Sequence, residues 1–591
     1  MPPKKRPADD SAGGDDARKK AATAAGAKTV TIAAPGGGPA KAVTKPAARP
    51  GAAGTSKTGT VRAAPKPGVR KVSAAAHASR AKVVSATAAA KKEKETAPPV
   101  ITKNTLMWFR NDLRLQDNRA LHAASARAHA AGTTLLGVYI ITEQEWTARK
   151  EAAVKIDFWM RSLAKLRKEL EKLSIPLIVK KAGASSEIPG IIQSIMDLHD
   201  ISHVFWNAEH TADEQKRDEE VNETIKNLPF VYAEISEDRC VIPPKEIMTK
   251  IAKPFTVFDH FKMTWCVQVE TQPRHLTLSP APEPNPAGTK AEFAKYFSAE
   301  IPTSHPHELD RDEIEELYPA GEEVAHERLK AFISESILEY HTTRSQVSHQ
   351  GSNPLAPYIT NGILSHRQCV SMARSVNNNK VMVGNEGVKL WVTEFIWKEF
   401  FKHIMVSFPR ICENMAFLPA ADDIRWSNDE RKFTLWCQGK TGYPIVDAGM
   451  RQLNTVGYMN SRVWKIVQCF LVKDLMVSWQ KGEKYFMNHL IDGEMASVNG
   501  TWQWCAGTGA DSQPYYTSNN PVTQSQKCDP HGEYISRWVP ELEGLSDNQV
   551  HDPFHVLSAK DFGKLGYPRP MVDHTDAKKK YADEFKRIHA K

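Results

Sequence analysis

The chain has 591 residues, with 78 Lys+Arg against 69 Asp+Glu and a formal net charge of +9. That length exceeds what one hydrophobic core usually serves, so two or more domains are expected. Residues 1–100 hold 20 basic and 6 acidic side chains, a net of +14, which leaves the other 491 residues at −5; whole-chain basicity therefore does not make the body a nucleic-acid surface, and only a local basic patch could.

Residues 1–99 are mostly Ala, Lys, Pro, Gly, Thr and Ser, with no aromatic residue. Such a segment cannot bury enough surface to offset its chain entropy, so it reads as a disordered basic arm. Lys4-Lys5-Arg6 and Arg18-Lys19-Lys20, with a polar spacer between them, have the form of a bipartite nuclear import signal; a generic solubilising or nucleic-acid-binding tail is the plainer alternative. The arm's later half is rich in Arg, Ala and Ser and poor in acids, as transit peptides are. The expected location is therefore the nucleus, with a mitochondrial pool as the second expectation.

Order begins near Thr102. Strands are predicted at Leu106–Phe109, Leu135–Thr142, Leu177–Val179, His203–Trp206 and near Val231. They alternate with helices from Asn118 to Ala130, along the face Phe158, Leu163, Leu166, Leu170, Leu173, and from Ala212. This alternation predicts a Rossmann-like parallel α/β domain over residues 102–235. Residues 236–322, Pro-rich from Pro254 to Pro306, read as a linker. Long helices follow at Glu323–Leu338, Val388–Val406, Asp447–Val456 and Ser461–Trp479, so residues 323–572 read as a large all-α domain, with a basic tail at 573–591.

Eight cysteines lie scattered from Cys240 to Cys528. None forms a C-x-x-C pair or a Cys/His group with zinc spacing, so no metal site is expected and a reducing compartment fits. No apolar run approaches the ~18 residues of a membrane span.

Leu106–Leu121 reads LMWFRNDLRLQDNRAL. On its own this is a capped βα turn, in which Arg110, Asp112, Arg114 and Asp117 can pair with one another and Asp117 or Asn118 can cap the helix. Further on come TEFIWKEFFKHI (Thr393–Ile404), GKTGYPIVDAGMRQL (Gly439–Leu453), FLVKDLMVSW (Phe470–Trp479), LIDGE (Leu490–Glu494), NGTWQW (Asn499–Trp504) and YISRWVPEL (Tyr534–Leu542). In this order the motifs resemble the DNA photolyase/cryptochrome family, closest to the class I enzymes that repair cyclobutane pyrimidine dimers, fungal-like in character. The resemblance covers about Thr102 to Val572. It implies an antenna-binding α/β domain, a linker and an all-α domain holding FAD, with a folate- or deazaflavin-type antenna chromophore as a second cofactor. The implied partner is damaged DNA, from which the dimer is flipped out for light-driven splitting. The expected state is a monomer with no membrane association.

The resemblance also implies roles for individual residues. Tyr340, Ser352, Asn353, Leu355, Trp391, Lys398, Asp492, Glu494 and Val498 fall at cofactor positions. Glu394 matches the acid that hydrogen-bonds the dimer, and Trp397 and Trp504 match the aromatic walls of its pocket. Arg344 and Arg462 match phosphate-facing arginines, for which surface ion pairs are the plainer reading. Ser461 and Lys465 match dimer contacts. Trp426, Trp479 and Trp502 match the tryptophan relay that photoreduces the flavin; for any one of them alone, core packing is the commoner explanation.

Several positions depart from the family pattern. The phosphate-binding turn is Ser352-Asn353-Pro354-Leu355-Ala356, short of a hydroxyl at Ala356 and of an N–H at Pro354. Val498 stands where an asparagine faces flavin N5, and Trp464 where an arginine pairs with the acid matching Asp492. Lys398 replaces an arginine and loses its planar fork. Glu494 replaces an aspartate, Ser461 an asparagine and Lys465 a methionine. The first expectation is light-driven dimer repair with FAD. The alternatives are a scaffold turned to a small-molecule reaction with weak or no flavin, and a flavin-based blue-light receptor.

Overall fold

The structure, a computed structural model, describes residues 103–302, 309–348, 355–511 and 519–589. The arm, its basic clusters, and Ser352, Asn353 and Pro354 lie outside the described residues.

Five strands, β1 (Asn104–Phe109), β2 (Leu135–Thr142), β3 (Leu177–Ala182), β4 (Ile201–Asn207) and β5 (Tyr232–Ser236), form one sheet in the order β3-β2-β1-β4-β5. All four pairings are parallel, with Met107 opposite Gly137 on one side and Phe205 on the other. The central strand β1 is fully buried from Thr105 to Phe109, as a strand covered by helices on both faces must be. Helix Ile188–Leu198 supplies a crossover that the sequence reading passed over; it buries Ile188, Ile192, Ile195 and Met196 against the sheet. The strand order reverses between β1 and β4, which opens a crevice at their carboxyl ends.

The turn after β1 does not pair its charges among themselves as predicted. Asn118 caps the Arg119–Ala131 helix, accepting from Leu121 N at 3.1 Å. Asp117 instead reaches Arg367 at 3.0 Å, and Arg367 also grips Asp238 at 2.5 Å. Arg114 pairs with Asp238 and donates to Gly362 O. All four side chains are buried. Arg367 sits on the His366–Ser375 helix of the C-terminal part, so the turn locks the two parts together. The reason is geometric: the turn leaves the carboxyl end of the central strand, where the helices of the C-terminal part lie.

The rest is helical. Three of the sequence readings change. The stretch read as a structureless linker contains helix Phe258–Thr271, which buries Phe258, Phe261, Trp265, Cys266 and Val269. Its apolar residues recur at helical spacing, a signal masked by the prolines on either side. The helix predicted over Ser461–Trp479 is three pieces: an α-helix at Ser461–Cys469, a π turn at Phe470–Asp474, and a new helix beginning at Trp479. Met476 with φ 55° separates the last two. The residues read as a basic tail include helix His574–His589, which is anchored by Ala577, Tyr581, Phe585 and Ile588.

Candidate functional site

Three packed helices and one loop build the site: Glu386–Ser407, Ser461–Cys469, Met495–Ala506 and the Leu490–Glu494 segment. The first is capped by Asn385, which accepts from Val388 N at 3.1 Å. It crosses Met495–Ala506 closely because Gly500 has no side chain; a Cβ there would lie 2.2 Å from the Phe401 ring. Gly482 likewise admits Trp502, whose ring would be 2.2 Å from a Cβ.

Trp391, Glu394 and Lys398 share one face of the long helix, at i, i+3 and i+7. Glu394 accepts from Tyr340 Oη at 2.8 Å and ion-pairs with Arg344 at 3.3 Å. Burial raises its pKa, opposed by Arg344, the Tyr340 hydrogen bond and Lys398. Arg344, matched to a phosphate contact, thus spends its charge on Glu394. Arg462 donates to Ser345 Oγ at 3.0 Å, and Ser461 is exposed at the start of its helix. Trp397 stacks on Phe258 with centroids 3.4 Å apart and planes 5° from parallel. The supposed linker therefore backs one wall. On the other wall, the Lys465 ammonium lies 4.3 Å from the Trp504 ring centroid.

The two acids of the Leu490–Glu494 loop have opposite environments. Burial would raise the pKa of Glu494, but Lys402 at 2.7 Å with Lys398 and Arg239, each at 3.8 Å, holds it well below the carboxylate range. Lys398 also donates to Thr360 Oγ1 at 3.1 Å. Asp492 has no cation in contact among the described residues. Burial pushes its carboxyl up to about 6, opposed less strongly by Lys398, a backbone hydrogen bond and Lys155. Among the described residues its Oδ1 has no hydrogen-bond partner, and neither do the indole N–H groups of Trp391, Trp464, Trp502 and Trp504. Trp464 packs on Phe486, with centroids 5.3 Å apart. Val498 is buried among apolar side chains.

Trp502 and Trp479 are buried, while Trp426 is partly buried near Tyr581 at 6.5 Å. Leu355 is buried and begins the short helix that follows the phosphate turn. Sequence reasoning missed Lys402 and Arg239 as partners of Glu494, and Phe258 as the support of Trp397. Only Lys402 carried a signal, a lysine one helical turn beyond Lys398 and so on the same face.

A second hollow of about 70 Å³ lies at the crevice between sheet and helices, lined by Asn111, Lys155, Trp159, Glu209, Arg239 and Glu494 among others. Among the described residues, Cys240, Glu399 and His403 are close enough to hold a metal. Two of the three are already engaged: Glu399 accepts from Val241 N, Trp265 Nε1 at 2.6 Å and His366, and His403 bonds Ile242 O at 3.0 Å. These bonds tie the long helix to the segment around Val241 and to the Phe258–Thr271 helix.

Residues 105–285 match the family model described as DNA photolyase, and residues 391–587 match the FAD binding domain of DNA photolyase. A deoxyribodipyrimidine photo-lyase of Vibrio cholerae is 36% identical over 477 residues, covering 79% of this chain and 96% of that protein. The chain belongs to the DNA photolyase family. The photo-lyase of Neurospora crassa is 38% identical over 497 residues, 81% of each chain. A class III photolyase from Agrobacterium tumefaciens has the same fold at a TM-score of 0.71 and 27% identity, covering 84% of this chain and all of that one. A Synechocystis cryptochrome shares the fold at a TM-score of 0.69 and 24% identity, covering 81% and 99%. The photolyase family's FAD-binding domain is thus the one that carries Trp391, Glu394 and Trp502. Unpartnered Asp492 Oδ1 and Trp391 Nε1 suit a bound ring system with donors and acceptors on its rim. The residues present fit FAD there, except that Val498 offers its neighbour no hydrogen bond.

Proposed function

We propose that this photolyase-family chain repairs cyclobutane pyrimidine dimers in DNA under blue light and holds its flavin more weakly than the family pattern would. The carrying observation is Glu394, fixed by Tyr340 and Arg344 on the same helix as the Trp397 wall. Held between Tyr340 and Arg344, the Glu394 carboxylate can accept a hydrogen bond from the N–H edge of a flipped base. Tyr340 and Arg344 set its direction, and Phe258 sets the plane of Trp397, so a flipped base would meet a preformed wall. Arg462, whose guanidinium among the described residues bonds only a neutral hydroxyl, is the better placed of the two arginines for a backbone phosphate. When bound, FAD supplies the light-driven electron donation to the dimer. Asp492 and Trp391 would hold its rim, with Lys398 nearby. The hollow at the strand ends is the proposed antenna position.

A second reading is a scaffold turned to a small molecule with weak or no flavin. It draws on Asp492 without a cation and on Lys465 covering one face of Trp504. The absorption spectrum of purified protein and repair of a dimer-containing oligonucleotide under blue light decide between them. Flavin-bearing protein that repairs supports the first; colourless protein without repair overturns it.

We also propose that the arm delivers the protein to the nucleus, where it works as a monomer. Deleting residues 1–21 should spread a fluorescent fusion into the cytoplasm; retention in the nucleus refutes this. No helix among the described residues is long and apolar enough to cross a membrane.

A further inference from the structure

Cys469 ends the Ser461–Cys469 helix, and Cys505 lies one residue past Trp504 on the Met495–Ala506 helix. Their sulfurs are 2.7 Å apart. That is inside the ~3.5–4.0 Å at which unbonded heavy atoms rest and beyond the about 2.05 Å of a formed disulfide. Both side chains are buried. Asn519 Nδ2 points at Cys469 Sγ from 3.6 Å. Lys465 and Lys473 lie four residues to either side of Cys469 in the chain.

We propose that Cys469 and Cys505 are a redox-modification site whose reversible disulfide ties together the two helices carrying Arg462, Trp464 and Lys465 on one side and Val498, Trp502 and Trp504 on the other. The contact that favours it is also electronic. The hydrogen bond from Cys505, outweighing burial and aided by Lys473 and Lys465, draws the Cys469 thiol down to about 6, while burial raises that of Cys505. Cys469 is therefore the sulfur favoured as nucleophile, and Cys505 the one that holds its proton more tightly.

The oxidant class is a small peroxide, which suits buried sulfurs better than a bulky disulfide. The Cys469 thiolate attacks a peroxide oxygen, the O–O bond breaks, and hydroxide leaves, giving a sulfenic acid. The Cys505 sulfur then attacks the Cys469 sulfur. The S–S bond forms, the S–OH bond breaks, and the hydroxyl leaves as water with the Cys505 proton. Two thiols and one hydrogen peroxide thus give one disulfide and two waters, and a dithiol reductant returns both thiols.

The test uses full-length reduced protein treated with hydrogen peroxide, quenched with catalase, denatured and alkylated. Two of the eight thiols should escape alkylation, and the intact mass before alkylation should be lower by two hydrogens. Tryptic mapping should join the peptide containing Cys469 to that containing Cys505, and a dithiol reductant should reverse the change. In C505A the peroxide product should instead be a sulfenic acid on Cys469, captured by a cyclic diketone. Hydrogen exchange in 461–469 and 495–506 should slow at least about threefold on oxidation, a ~0.7 kcal/mol stabilisation. Eight free thiols after treatment, or a map joining other cysteines, overturns the site. A cross-link without slowed exchange overturns the tie between the helices. The map and the exchange are read on wild-type protein and do not depend on any variant folding.

Discussion

The ammonium of Lys465 lies over the indole of Trp504, 4.3 Å from its centroid. A cation on an aromatic face contributes about 0.5–2 kcal/mol according to how dry the site is. It also covers the surface a flipped base would use. The substitution at position 465 is thus a contact with a cost: it steadies the wall and narrows the pocket.

K465M should uncover that face. Affinity for a dimer-containing single strand, measured by fluorescence titration, should rise about five- to tenfold, on the order of 1 kcal/mol. Unchanged or weaker binding would mean that Lys465 helps to hold the strand.

Arg462 and Arg344 should part company in salt titrations. R462A should shallow the slope of log K against log salt by about 1, one phosphate contact's share. R344A should change the slope by less, because Glu394 already neutralises that arginine. Equal slope changes would show that the Arg344–Glu394 pair opens on binding.

Phe258 should matter at a distance from its own chain segment. F258A removes a buried ring stacked on Trp397, and large-to-small core changes of this kind cost about 3–5 kcal/mol. Chemical denaturation measures that loss. Dimer affinity should fall with it, since Trp397 loses the ring that fixes its plane.

Asp492 sets a pH dependence. Its folded-state value of about 6 stands above the ordinary 3.8, so the native state binds the proton more tightly than the unfolded chain. Stability from this group is present at low pH and is lost as pH rises from about 4 through about 6, by at most ~3 kcal/mol for two pK units. Flavin-free D492N should lose that part of the slope and melt higher than wild type at pH 7.5, with the difference gone near pH 4. The same melting temperature at both pH values would show that the carboxylate finds a partner in solution.

Giving Asp492 a cation should restore the flavin. W464R with V498N supplies the charge and the ring-edge amide that the cavity lacks, and flavin absorbance per chain after purification should increase at least about threefold, some 0.7 kcal/mol. No increase would place the weakness elsewhere, at the phosphate turn containing Ala356.

The parallel sheet was legible because strands buried on both faces carry continuous apolar runs, as Leu106–Phe109 does. The site helices were legible because their motifs put Trp391, Glu394 and Lys398 on one face. What was hidden depended on partners distant in sequence. Nothing near Phe258 announced Trp397, and nothing near Arg239 announced Glu494. The π turn at Phe470–Asp474 was invisible because its residues have ordinary helical character; tertiary packing decides where such a turn inserts.

The buried quartet of Arg114, Asp117, Asp238 and Arg367 has a thermodynamic consequence. Opening the seam would leave charges without partners in a dry interface, where removing one member of a pair costs about 3–5 kcal/mol. Neither half can be lost first, so calorimetry should record a single transition whose calorimetric and van't Hoff enthalpies agree. Expressing the sheet domain alone would strand Arg114, Asp117 and Asp238 at a surface built to be interior.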